Sequence, residues 1–259
     1  MSVPPLYPSE SVVRRLRAAG CVFAEDEAQL LIAASPSPAD LVAMVDRRVS
    51  GQPLEHVLGW AEFCGLRISV DPGVFVPRRR TELLVRHAAS LAPAAAVVVD
   101  LCCGSGALGV ALAAELGGVE LHAVDIDPAA VRSARRNARA FGGRVYEGDL
   151  YAPLPETLHG RVDVLLANAP YVPTAAIRLL PPEARLHEHP VALDGGADGL
   201  DVLRRVVAEA GRWLAPGGHL LVETSERQAP VLRAFVSAAG LRCRAVSADD
   251  SHVLVATRV

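Results

Sequence analysis

Apolar and polar positions alternate with two different rhythms along this chain. Over roughly the first fifty residues the apolar side chains recur at helical spacing. Val12, Val13 and Leu16 share one face in "SESVVRRLRAAG", and "EDEAQLLIAAS" and "SPADLVAMVDRRVSG" repeat the design, the latter with Ser37 before Pro38 at the first turn. Three short helices are predicted, forming a small bundle over residues 1–52. Residues 53–80, including "PLEHVLGWAEFCGLRISVDPGVFVP", set aromatic and β-branched residues between Gly and Pro, which predicts a hairpin-like connector. Residues 81–259 open with a helix, "TELLVRHAASLA", and then change rhythm. Near-continuous apolar runs ("AVVVDL", "VELHAVDI", "RVYEGDL", "VDVLLAN", "HLLVETS") alternate with helical stretches, among them "GLDVLRRVVAEAGRWLAPGG", expected to close at Gly217 or Gly218. Such strands are covered on both faces, so the fold class is α/β with a parallel, doubly wound sheet. The last two strands, "LRCRAVS" and "SHVLVATRV", are joined by "ADD", too short for a parallel crossover, and are expected to be antiparallel.

Composition narrows the class. Apolar residues make up 51% of the 259 residues and aromatic residues 4%, so the core is aliphatic. The formal net charge of −3 argues against stable nucleic-acid binding through general electrostatics. The five cysteines are scattered and lack the spacing of a disulfide framework or zinc site, so reduced thiols acting as small hydrophobes are expected. The opening "MSVPPLYPSE" lacks the basic-then-apolar pattern of a targeting signal, and no apolar run is long enough to span a membrane, which predicts a cytoplasmic protein.

Chemistry gathers where strands end. In "VVVDLCCGSGALGVAL", Gly104 and Gly106 stand between a strand and a helix, where missing side chains let the backbone turn tightly and approach a ligand. "LHAVDID" ends the next strand with Asp125, about 20 residues on, the spacing of a carboxylate that accepts ribose hydroxyls. The pair points to a ligand carrying an adenosine ribose. "GSGALG" also satisfies the dinucleotide pattern, so NAD, S-adenosylmethionine (SAM) and a purely structural turn all remain open on spacing alone. The loop begins with Asp100, however, and "DLCCGSG" resembles the DxGxGxG signature of SAM methyltransferases, with Cys102 at a glycine position. Asp149 and Leu150 in "YEGDLY" end a third strand, where the acid can take an adenine amino group and the leucine cover its face; a turn cap is the plainer reading of Asp149.

"VDVLLANAPYVP" breaks an apolar strand at Asn168 and follows it with Ala169, Pro170 and Tyr171. A carboxamide oxygen and the neighbouring peptide carbonyl offer two acceptors side by side, which suits a planar –NH2 group. Pro170 restrains residue 169 to an extended backbone, and Tyr171 can wall the pocket against water. "NAPY" resembles the (N/D)PPY signature of amino-group methyltransferases. More of the chain resembles the HemK/PrmC family, which methylates the glutamine side-chain amide of peptide-chain release factors. The matching stretches are "GQPLEHVLGWAEFCGLRISVDPGVFVPRRRTELLV", with its PR-x-x-TE segment, "HPVALDGGADGLDVLRRVV" and "LAPGGHLLVE".

That resemblance implies a class I SAM-dependent methyltransferase: a Rossmann-like, mostly parallel seven-stranded sheet with an antiparallel last strand, preceded by a small helical domain. It implies a SAM loop of Cys102, Cys103, Gly104, Ser105 and Gly106, with Asp125 at the ribose and Ile126 beside it. It puts Asp149 and Leu150 at the adenine, Phe75, Arg78 and Thr81 over the methionine end, Asn168 against the cofactor as well, and Asn168 to Tyr171 around the target glutamine of a protein substrate, a release factor being the family's. The chain departs from the family at Ala169, where the first proline of NPPY stands, and at Cys102, where a glycine does. A nucleobase amine in RNA or DNA presents the same –NH2 group and is the alternative acceptor. A non-catalytic SAM-binding or protein-binding module is a rival of another class, and a NAD-linked oxidoreductase lacks an obvious catalytic His or Tyr–Lys pair. His187 and His189 in "RLHEHP" read as an exposed loop without a third metal ligand, Arg79 and Arg80 as solvated, and Trp60, Phe63 and Trp213 as packing residues.

Overall fold

The computed structural model describes residues 9–248 and 251–259. Residues 1–8, where the sequence predicts no targeting signal, and 249–250 of the last expected turn lie outside the described residues. Helices α1 (Ser9–Ala18), α2 (Ala24–Ala34) and α3 (Pro38–Val49) pack around Leu16, Leu31 and Val45. The Ser37 hydroxyl accepts the Asp40 N–H at 3.2 Å and so caps α3, and Pro38 occupies its first turn. A short α4 (Leu54–Leu58) leads into a hairpin of β1 (Trp60–Phe63) and β2 (Leu66–Ser69), antiparallel with Trp60 opposite Ser69.

After α5 (Glu82–Leu91) the chain alternates through β3 (Val97–Leu101), α6 (Ala107–Leu116), β4 (Glu120–Asp125), α7 (Pro128–Ala138), β5 (Arg144–Glu147) and β6 (Val162–Ala167). It continues with α8 (Pro182–His187), α9 (Asp201–Trp213), β7 (Leu214–Thr224), α10 (Ala229–Ala238), β8 (Arg242–Ala248) and β9 (Ser251–Thr257). Seven strands form one sheet in the order β5-β4-β3-β6-β7-β9-β8. Strands β3 to β7 pair in parallel, and β9 runs antiparallel to both β7 and β8. Alternate strand residues feed opposite cores. Val98, Val164 and Leu166 pack with α5, α6, α7 and the hairpin, whereas Val99, Leu165 and Ala167 pack with α9 and α10. Helix α6 is apolar all round from Ala107 to Ala113, where it is buried between the sheet and its neighbours, and carries its one charge, Glu115, in the exposed last turn.

One expected boundary is wrong. The helix through "GLDVLRRVVAEAGRWLAPGG" ends at Trp213 and not at Gly217 or Gly218, and β7 has already begun at Leu214. The two glycines serve the sheet. Gly217 N–H donates to the Arg258 carbonyl at 2.9 Å, and a Cβ on Gly218 would lie 2.6 Å from the Val162 carbonyl oxygen, so only glycine lets this strand cross so close to β6.

Strand order fixes where a ligand can sit. From β3 the sheet grows one way through β4 and β5, then resumes on the other side with β6, so a topological switch point lies between β3 and β6. Leu101 pairs with Ala167 across it. Cys102 and Asn168 therefore emerge side by side at the carboxyl ends of the two strands, where open α/β sheets bind ligands.

Candidate active site

A cavity of about 810 Å³ opens at this switch point. Of the residues expected at the cofactor and the acceptor, all but Gly106 line it: Phe75, Arg78, Thr81, Cys102 to Ser105, Asp125, Ile126, Asp149, Leu150 and Asn168 to Tyr171. Gly106 lies behind the loop, with a positive φ of 77° at the start of α6, where an added Cβ would sit 3.2 Å from that of Ala134.

The loop is held by its own acids. Gly104 N–H donates to Asp125 Oδ2 at 2.7 Å, and Asp127 N–H donates to Asp125 Oδ1 at 2.9 Å. Each oxygen keeps acceptor capacity toward the cavity. Desolvation by burial raises the Asp125 pKa. Behind it, Asp100 is fully buried, accepts the Gly109 N–H at 2.9 Å and has its other oxygen without a partner; burial pushes its pKa up to about 7. Cys102 adopts a left-handed φ of 53°, the conformation that favours the family's glycine there. Burial drives both loop thiols well above the usual range, so they are inert protonated groups.

Asn168 is half-buried, and its carboxamide makes no hydrogen bond to another described residue. Ala169 is buried and its carbonyl accepts none of the loop backbone hydrogen bonds. Both residues line the cavity, and neither acceptor is committed to a bond with another described residue. Tyr171, by contrast, is held at both ends. Gln228 Nε2 donates to its carbonyl at 2.9 Å, and its hydroxyl meets Arg80 Nη2 at 2.7 Å and Glu223 Oε1 at 3.2 Å. Arg80 is exposed, as expected, yet it is not idle: its Nε donates to buried Glu223 at 3.0 Å.

The segment between β6 and α9 folds back over the cavity. Val172 N–H donates to Leu193 O at 3.1 Å and Thr174 N–H to Gly196 O at 2.9 Å, closing the excursion that carries α8. His189 is exposed, as expected, and His187 ends α8 half-buried, but Glu188 between them is turned inward. Glu188 is buried, accepts the Val76 N–H at 3.1 Å and pairs with Arg78, whose guanidinium also sits 4.8 Å over the Phe75 ring. Its second carboxylate oxygen is buried without a partner. His189 pairs through Nδ1 with Asp127 at 2.5 Å and packs against Gly73, whose missing Cβ leaves room for the ring. No group of three His, Cys, Asp or Glu suited to hold a metal ion occurs among the described residues.

Sequence reasoning missed Arg80, Glu188, Glu223, Arg205 and Asn137. Arg205 of α9 pairs with Asp149 at 2.7 Å, and Asn137 of α7 bonds Ser69 on the hairpin and the Ser105 carbonyl at 2.8 Å, tying connector to loop. "HEHP" and "VETS", acids at a loop and at a strand end, were the only signals for Glu188 and Glu223.

The donor set fits SAM. Asp125 offers acceptors for ribose hydroxyls, Leu150 and the exposed Ile126 offer apolar faces for an adenine, and the orphaned Glu188 oxygen offers a counter-charge for a cation. The three cavity arginines, Arg78, Arg80 and Arg205, are each paired with a carboxylate, which suits a cationic ligand better than a phosphate chain.

Comparison with known proteins agrees. Residues 65–180 match the family model of the methyltransferase small domain. The chain is 42% identical over 221 residues to the release factor glutamine methyltransferase of Geobacter sulfurreducens, covering 83% of this chain and 76% of that protein. It is 43% identical to the release factor glutamine methyltransferase of Mycolicibacterium smegmatis, covering 76% and 72%. It is also 38% identical to the 4-amino-L-phenylalanine/4-methylamino-L-phenylalanine methyltransferase of Streptomyces pristinaespiralis, covering 88% and 79%. Among solved structures, a methyltransferase from Pyrococcus furiosus superposes with a TM-score of 0.57 at 16% identity, over 82% of this chain and 96% of that one. A 16S rRNA methyltransferase of T. thermophilus in complex with AdoMet and guanosine superposes at 0.55 and 22%, over 77% and 50%. These two share the class I methyltransferase fold.

Proposed function

This chain belongs to the release factor glutamine methyltransferase family, and we propose that it methylates the side-chain amide nitrogen of a glutamine in a peptide-chain release factor. SAM is the cofactor, and when bound it supplies an electrophilic methyl group on a sulfonium that leaves as a neutral thioether. Asp125 holds the ribose, Asp149 and Leu150 border the adenine, and Phe75, Arg78 and Thr81 close over the methionine end.

The chain's own task is to align and desolvate a poor nucleophile. Asn168 Oδ1 and the Ala169 carbonyl accept the two hydrogens of the amide –NH2 and fix the direction of its nitrogen. Both acceptors also stabilise positive charge growing on that nitrogen. Tyr171 walls the amide and keeps water out. No side chain is needed as a base before attack, because the nitrogen can release its proton to water once the methylated amide leaves the pocket. The observation that carries this reading is the pair of uncommitted acceptors at Asn168 and Ala169, next to the glycine loop across the switch point. A cytoplasmic location goes with the reading; no helix among the described residues is long and apolar enough to cross a membrane.

A second reading has one observation behind it. The relative of greatest coverage among those described acts on an aryl amine, which presents the same planar –NH2 group, so a free aromatic amino acid is the competing acceptor. The paired arginines of the cavity weigh against a polynucleotide. Purified protein incubated with SAM and a release factor should add one methyl to a glutamine, located by tandem mass spectrometry. Methylation of 4-amino-L-phenylalanine with no change in the release factor would replace the first reading by the second, and methylation of neither would overturn both.

A further inference from the structure

The acceptor loop is stiffened from outside by a group the proposed chemistry does not use. Glu223 is the penultimate residue of β7, with its carboxylate buried at 2% residue exposure. Three donors converge on it: Thr81 Oγ1 on one oxygen, Arg80 Nε at 3.0 Å and the Tyr171 hydroxyl at 3.2 Å on the other. Arg80 reaches around to donate from Nη2 to the same hydroxyl at 2.7 Å. The phenol oxygen is thereby fixed between a cation and an anion, accepting from one and donating to the other. Both are supplied by elements remote in sequence, the turn before α5 and the end of β7.

We propose that Arg80 and Glu223 are positioning residues for the acceptor amide, acting through Tyr171. This rests on the reading of Asn168 to Tyr171 as the acceptor pocket. A tyrosine ring that only walled a pocket would need no partner for its hydroxyl at the half-exposed edge of the cavity. Here the hydroxyl is committed twice, and the Tyr171 carbonyl is held separately by Gln228. Fixing the ring at its far end sets its tilt in the cavity wall that Asn168 and Ala169 also line, and so leaves the amide one orientation. Burial and the neighbouring Glu223 raise the phenol pKa, so the group remains a protonated strut and takes no part as a base. The departure at Ala169 gives the brace its purpose. Alanine leaves the backbone freer than the proline of the family signature, and the brace restores from the side what the main chain has lost.

A double-mutant cycle tests this on whichever acceptor the wild-type protein turns over, a release factor or 4-amino-L-phenylalanine. Tyr171→Phe and Arg80→Met should each lower kcat about tenfold, the size expected for one charge-assisted hydrogen bond lost. The SAM Kd by calorimetry should stay within about twofold, because none of these groups is assigned to the cofactor. The combined variant should be no slower than the slower single variant, since Arg80 acts only through the phenol. Glu223→Gln keeps the shape of the buried site and should match Tyr171→Phe in kcat, with its melting curve showing that it folds. Independent effects that multiply to about a hundredfold would mean that Arg80 acts elsewhere, and would overturn the brace. Wild-type kcat in Tyr171→Phe would overturn it equally. A wild-type protein that methylates neither acceptor would instead overturn the acceptor reading, and the brace with it.

Discussion

At the scale of single residues, three positions carry separable consequences. Asn168 is assigned to the acceptor and to no structural contact, so Asn168→Ala should cut methyl transfer by about a hundredfold or more while the SAM Kd moves less than about threefold. Turnover and calorimetry on one preparation check this, and near-normal turnover would remove Asn168 from the mechanism. Asp100 makes a statement about pH. Its carboxyl titrates near 7 in the folded chain, because burial penalises the charged form, and near the ordinary carboxylate value when unfolded. The folded state therefore holds a proton that the unfolded state has already released, and stability falls as pH rises from about 4 to about 7. The loss is absent below that window and complete above it. Asp100→Asn, which keeps an acceptor for the Gly109 N–H, should gain more stability at pH 8 than at pH 5 in urea unfolding. A smaller slope from Asp125, also pushed up by burial, should remain. Cys102→Gly should relieve the left-handed backbone by about 1 kcal/mol. That is a rise of about 2–4 °C in Tm for a chain of this size.

At the scale of elements, strands and loop chemistry were legible because they are local. Apolar runs announced β3, β4 and β6, and glycines at 104 and 106 with an acid at 125 announced the ligand loop, since each pattern lies within a few dozen residues. What stayed hidden is long-range pairing. Arg80 and Glu223 are separated by 143 positions and Val76 and Glu188 by 112, so no spacing rule joins them. An arginine read from its neighbours alone in "RRR" looks solvated, which Arg80 is, but its partner Glu223 leaves no local sign. The "LAPGG" error has the same root. A glycine pair after a helix commonly means a cap, and only the approach of β6 makes it part of a strand. The segment carrying α8 gives an element-scale prediction. Glu188→Ala would leave the Val76 N–H and the Arg78 guanidinium without their acceptor, so the segment should loosen over the cavity. Limited proteolysis between residues 172 and 196 should accelerate, and SAM should bind about tenfold more weakly, a loss of the order of one charged hydrogen bond.

At the scale of the molecule, the N-terminal bundle is joined to the cavity by one buried cation. Arg48 of α3 donates to Glu27 of α2 at 2.6 Å and to Glu183 of α8 at 2.7 Å. Removing one partner of a buried pair costs about 3–5 kcal/mol, whereas replacing the pair by apolar side chains costs far less. Arg48→Leu should accordingly lower stability by about 3 kcal/mol, and Glu27→Leu added to it should recover much of that loss, as urea titrations would show. Because Glu183 lines the cavity, the single variant should also weaken SAM binding, while a variant restricted to the exposed Arg15–Asp46 pair should not.

Strand order leaves a mark on how such a chain is made. β9 follows β8 in the chain yet lies between β7 and β8, so β8 touches the sheet only through a neighbour synthesised after it. While the polypeptide is still emerging from a ribosome, β7 presents a bare edge and β8 has nothing to join, and both must wait for the final stretch to thread in. A released chain truncated near residue 250 should therefore stay sticky and protease-sensitive along β7, whereas one that runs on through β9 should be sealed.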